Sequence, residues 1–208
     1  MSQDIPEIVI ISDCQEREQD KDKTEDYDKI KDRMGYLVYK NYTKDTDHEP
    51  PRDIHPTTEL EIGEKKNKFK IHFFYIKDSY WPAISNISRH CDGALIVIDL
   101  DNYTEEKGVE FIKEWLVNFE DLDKPDMKTI IVGASRNKKK IDDIRPLIEY
   151  IQDKKLEEVS VDINNAEDPK LKEAFNKVAS LITGDIESER RPDQDEDIEE
   201  YLDKYKNF

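Results

Sequence analysis

The sequence predicts an α/β domain built on a mostly parallel six-stranded sheet with helices on both faces. Three observations carry this expectation. Short, nearly continuous apolar runs occur at Glu7–Ile11 (EIVII), Gly93–Leu100 (GALIVIDL) and Thr129–Gly133 (TIIVG). Stretches with helical apolar spacing separate them, and a single hairpin pattern occupies Thr57–Ile76. Strands covered on both faces lose the alternation of half-exposed ones, and strand–helix alternation implies crossovers that place helices over the sheet.

Each element follows from its own pattern. Glu7–Ile11 is the first strand. Tyr27, Ile30, Met34 and Leu37 recur at helical spacing, and the Pro-rich loop His48–Pro56 (HEPPRDIHP) comes next. Thr57–Ile62 (TTELEI) and Lys68–Ile76 (KFKIHFFYI), divided by Gly63–Asn67, read as two paired strands. A short helix is expected near Trp81–His90, and Gly93–Leu100 then forms the central strand. Val109, Ile112, Trp115, Leu116 and Phe119 share one helical face, and Thr129–Gly133 returns to strand after Pro125. Ile144, Leu147, Ile148 and Ile151 mark another helix, with Glu158–Ile163 as the last strand. Asp168-Pro169 predicts a capped start for the helix carrying Leu171, Phe175, Val178 and Leu181, because Asp accepts from an orphan first-turn N–H and Pro has none to lose.

The 208 residues accommodate one domain, over 1–183, and a tail over 184–208. The tail has ten acidic and four basic residues and no strand pattern. A net charge of −17 repels nucleic acid and anionic lipid, so proteins are the expected partners. Cys14 and Cys91 form no disulfide framework, which suits a reducing, cytoplasmic setting. The first apolar run is too short to span a bilayer, and KYKNF lacks the cysteine a prenyl group needs, so no direct membrane anchor is expected.

The order of these segments resembles the Ras superfamily, Rab-like members in particular, over about residues 5–183. The residues that carry it are Asp92–Asp99 (DGALIVID), Glu114-Trp115-Leu116, Thr129–Gly133 and Glu173-Ala174-Phe175. The resemblance implies a Ras-like P-loop NTPase fold. Trp81-Pro82-Ala83, the closing DPKLKEAFNKVASLI and the following ESERR are similar to the family of Rab-like subunits of the intraflagellar transport B complex. That resemblance implies a place in cilia, flagella and basal bodies, with the coiled-coil subunits of the complex as partners.

The nucleotide positions are degenerate. A P-loop needs G-x-x-x-x-G-K-[ST], with glycines to let backbone N–H groups wrap phosphate, Lys to neutralise it and a hydroxyl for Mg²⁺. Aligned without a gap, Ser12 and Arg17 stand for the glycines, Glu18 for the Lys and Gln19 for the hydroxyl residue. A five-residue gap instead recruits Lys23 and Thr24, with Asp22 where a glycine belongs. Thr57 occupies the place of the first-switch Thr, or simply opens a strand after Pro56, and Phe73–Asp78 offers no Asp-x-x-Gly. The guanine-reading N-K-x-D becomes Ala134-Ser135-Arg136-Asn137, and the supporting Ser-Ala-Lys turn becomes Asn164-Asn165-Ala166. Three lost bonds to charged groups, at roughly 1.5–3 kcal/mol each, weaken binding by about 10³–10⁶-fold. GTP, Mg²⁺ and hydrolysis are therefore not expected.

Other chemistry lacks a pattern. His48, His55, His72 and His90 show no metal spacing, Cys14 and Cys91 read as packing residues, and Lys138-Lys139-Lys140 reads as a solvated loop or a dock for an acidic partner. Phe73, Phe74, Tyr75, Tyr80 and Trp81 crowd aromatics into one stretch, and Tyr80 and Trp81 are candidates for partner contact if the core does not claim them. Ile198, Tyr201, Leu202 and Tyr205 fall on one helical face, to be covered by a partner or by the chain's own domain. The expected function is a non-catalytic, protein-binding pseudo-GTPase. The alternatives are an unconventional small GTPase and a pseudo-GTPase chaperone of adaptor complexes.

Overall fold

The apolar runs assemble side by side, because strands covered on both faces can satisfy their backbone groups only against one another. In the computed structural model the described residues are 5–12, 34–43, 57–63, 66–75, 88–102, 105–124 and 126–184. The strands are β1 (Glu7–Ser12), β2 (Thr57–Ile62), β3 (Asn67–Tyr75), β4 (Gly93–Asp99), β5 (Lys128–Ser135) and β6 (Glu157–Asp162). They form one sheet in the order β2-β3-β1-β4-β5-β6. Only the β2–β3 pair is antiparallel, as the hairpin pattern predicts.

Alternation along each strand sorts side chains onto two faces. Ile8 and Ile10 of β1 and Leu95 and Val97 of β4 join one core; Val9, Ile11, Ala94, Ile96 and Ile98 join the other. Helices α1 (Met34–Thr43) and α4 (Pro169–Thr183) cover the first face, and α2 (Glu105–Asp121) and α3 (Arg145–Asp153) cover the second. A 3₁₀ turn, Ile141–Asp143, precedes α3.

The helices hold their places by specific contacts. On α1 the rings of Tyr42 and Phe175 stack with centroids 4.0 Å apart, and the Asn41 amide donates to the Ile163 carbonyl at 2.8 Å. Trp115 and Phe119 of α2 are buried under the opposite face. Asp168 caps α4 as expected, accepting from the Lys170 N–H at 3.0 Å with Pro169 in the first turn, and Gly184 ends the helix with φ 69°. Met34 is buried, as its spacing predicts, whereas Tyr36, Val38 and Tyr39 are buried beside it, so α1 is covered over more than one stripe. Tyr27, Ile30, the Pro-rich loop, most of the expected Trp81–His90 helix and the tail from 185 onward lie outside the described residues. Among the described residues no helix is long and apolar enough to cross a membrane.

Two glycines make opposite predictions. A Cβ on Gly93, at the start of β4, would stand 2.7 Å from Ile182 Cδ1, 2.8 Å from Val178 Cγ2 and 3.0 Å from the Lys128 carbonyl oxygen, which cannot swing aside. Gly93→Ala is expected to destabilise by about 1–3 kcal/mol through overpacking. On Gly108, inside α2, the nearest atom is 3.6 Å away, an ordinary contact, and helix propensity favours Gly108→Ala by about 0.5–1 kcal/mol. Urea unfolding should show the two midpoints move in opposite directions with the m-value unchanged.

Candidate functional site

The chain leaves β1 for α1 on one face of the sheet and leaves β4 for α2 on the other. Where successive connections diverge in this way, the carboxyl ends of the strands border a crevice, the usual ligand position in an open α/β sheet. Among the described residues that end is lined by Ser12, the turn Asp99–Asn102, the segment Ser135–Lys140 and the turn Asp162–Asp168.

The β4 and β5 ends are bound to each other. Asp101 accepts from the Ser135 hydroxyl at 2.8 Å through Oδ1 and from the Arg136 N–H at 2.6 Å through Oδ2. Ser135, fully buried at the end of β5, accepts in turn from the N–H groups of Asn137 at 2.9 Å and Lys139 at 3.0 Å. A hydroxyl has one donor and two acceptor sites, so Ser135 is saturated. Lys139 Nζ donates to the Leu100 carbonyl at 3.3 Å, and the Leu100 N–H donates to the Ala134 carbonyl at 2.9 Å. Asp99 organises its own turn by accepting from the Asp101 N–H at 3.0 Å and the Asn102 amide at 2.7 Å.

The β6 turn closes the same way. The Ile163 N–H donates to the Ser135 carbonyl at 2.9 Å, and the Asn164 amide donates to the Arg136 carbonyl at 2.5 Å. The Asp162 N–H donates to Asp168 Oδ2 at 2.8 Å, which joins this turn to the cap of α4. Among the described residues, Asp101, Ser135 and Asn164 bond the loops at this end to one another.

Ala134 and Ser135, expected in a loop, are the last residues of β5, because ladder pairing with Val161 and Asp162 extends that strand. Ala134 is fully buried and offers no side-chain bond; Asn137 is exposed beside exposed Lys138, Lys139 and Lys140. Ser12 is buried, its Oγ has no hydrogen-bond partner among the described residues, and a Cβ on Gly35 of α1 would meet that oxygen at 2.8 Å. Thr57 opens β2, with its side chain outside the described residues, as are Arg17, Glu18, Gln19, Lys23, Thr24, Cys14, Tyr80, Trp81, Ile198, Tyr201, Leu202 and Tyr205. The side chains of Phe73, Phe74 and Tyr75 lie outside them too.

Asp101 went unnoticed in the sequence, where the Asp-x-Asp that follows the apolar run of β4 was its one signal. No family model matches the chain, and no curated protein matches it.

Partial burial disfavours the Asp101 carboxylate, but the Arg136 N–H, the Ser135 hydroxyl, the Asn137 amide and nearby Lys139 outweigh it and hold the carboxyl below its ordinary value. A depressed folded pKa contributes stability that is complete above the unfolded value, about 3.9, and is lost as pH falls through the folded one. Asp101→Asn should cost about 1 kcal/mol at neutral pH, a modest figure because the carboxylate is partly solvated. Urea unfolding across pH should show that gap constant above about pH 5 and closing below about pH 4.

Proposed function

We propose that this chain is a degenerate Ras-like domain that binds proteins and does not turn over GTP. The reading is carried by the closed Ala134–Lys140 segment. A base-reading loop must hold a carboxylate and backbone donors open toward the purine, whereas here Asn137 stands in place of that carboxylate. The N–H groups of Arg136, Asn137 and Lys139 are already bonded to Asp101 and Ser135. The six-stranded sheet with its one antiparallel edge supports a framework of this class.

In its sharper form the proposal is a subunit of the intraflagellar transport B complex, bound to the coiled-coil subunits during cilium assembly. This form rests on the Trp81-Pro82-Ala83 and DPKLKEAFNKVASLI resemblance. A surface of fixed shape needs no γ-phosphate to order it, so partner binding should be the same with and without nucleotide.

A ligand at 100 times its Kd stabilises its protein by about 2.7 kcal/mol, which moves the melting temperature of a domain this size by roughly 5–11 °C. The expected result with submillimolar GTP or GDP and Mg²⁺ is no shift, and the tagged chain should recover the coiled-coil subunits from ciliary extract equally with and without GTP. A clear rise in melting temperature would overturn the blank-site reading in favour of an unconventional GTPase. Recovery of adaptor-complex subunits instead would favour the chaperone.

A further inference from the structure

The opposite end of the sheet carries a second set of polar groups, unrelated to the closed loops above. Glu7 opens β1, His72 lies on β3 in register with Val9, and Cys91 stands two residues before β4. These three neighbouring strands bring a carboxylate oxygen, an imidazole nitrogen and a thiol sulfur all within 4.8 Å of one another. Cys91 is fully buried and His72 is 5% exposed. The Glu7 side chain is 22% exposed, with Oε2 2.7 Å from His72 Nε2 and Oε1 3.2 Å from Lys70 Nζ.

We propose that Glu7, His72 and Cys91 bind a zinc ion, which staples the start of β1 to the middle of β3 and to the segment that leads into β4. One nitrogen, one sulfur and one oxygen are the donor types zinc takes together, whereas magnesium and calcium require oxygen alone. At metal–ligand distances of about 2.0–2.3 Å, tetrahedral ligands stand roughly 3.3–3.7 Å apart, so the cluster needs shifts on the order of 1 Å. Glu7 is the ligand best able to give way, since its side chain is the most exposed of the three.

Charge and protons balance. Zn²⁺ meets one thiolate and one carboxylate, leaving a neutral centre in a buried place, which spares the cost of an unpaired interior charge. Cys91 releases one proton to solvent, the 2.7 Å hydrogen bond between His72 Nε2 and Glu7 Oε2 breaks as the ion enters between them, and His72 ligates through Nε2 as the neutral tautomer with its one proton on Nδ1. Lys70 keeps Glu7 Oε1, and the Asp92 carboxylate keeps the Glu7 N–H it accepts at 3.0 Å, so water supplies the fourth ligand from the exposed side of Glu7. Burial, with Glu7 and Asp92 close by, pushes the Cys91 thiol up, so metal binding works against that proton.

The test uses the full chain, stripped with a chelator and then titrated with zinc or with cobalt as a spectroscopic substitute. The expected result is one equivalent of zinc retained after desalting, a cobalt–thiolate charge-transfer band, and a melting temperature raised by several degrees. Cys91→Ala should abolish the band. His72→Gln and Glu7→Gln should weaken metal affinity by more than the roughly 10–100-fold that loss of an outer-shell partner costs. Circular dichroism of the metal-free variants verifies that they fold, and Glu7→Gln, which changes the most exposed ligand, keeps the test available if a buried substitution does not. A wild-type chain that retains no zinc and shows no band overturns the proposal. So does a band that survives in Cys91→Ala, which would move the thiolate to Cys14, or zinc affinity unchanged in both His72→Gln and Glu7→Gln.

Discussion

Coverage of β1, β4 and β5 on both faces constrains the rest of the molecule, because backbone groups in such strands cannot turn to water and must pair along the ladder. Ile8–Ile11, Ala94–Ile98 and Ile130–Val132 are within 1% of complete burial. A polar side chain inside this slab would carry a desolvation cost with no partner to offset it, so chemistry is displaced to the strand ends. The polar groups around Asp101 and those around Glu7 lie toward opposite ends of the sheet.

Much of this frame was legible from local pattern. The apolar runs located β1, β4 and β5 to within a residue or two, and Asp168-Pro169 located the start of α4. The end of β5 was less legible, since Ala134 and Ser135 have no alternation of their own and are strand only because β6 pairs with them. Neither polar grouping could be read along the chain. Asp101 meets Ser135 across 34 positions, and Glu7 meets His72 across 65. Lone His72 and Cys91 gave no metal spacing because three separate strands supply the set, and spacing rules apply to ligands that share a turn or a helix.

The two ends differ in kind. At the carboxyl end, Ser135 has filled its bonding capacity on Asp101 and the neighbouring backbone, and Asp101 ties that hydroxyl and the Arg136 N–H to the β4 turn, a polar knot with exposed lysines outside it. At the amino end, the donors converge on one point and one of them remains accessible. Saturated groups resist a ligand, and convergent ones invite it.

Among the described residues the sheet has one antiparallel strand, β2, at its edge with β3 as its sole neighbour. An open strand edge is a template on which identical chains can stack into aggregates. Glu59 and Glu61 are exposed along β2, two like charges that a second copy of the same strand would have to bring together. The edge is thereby guarded against self-pairing, while an extended segment bearing lysines would meet no such repulsion. Two alternate carboxylates thus set apart the copies of a strand only six residues long.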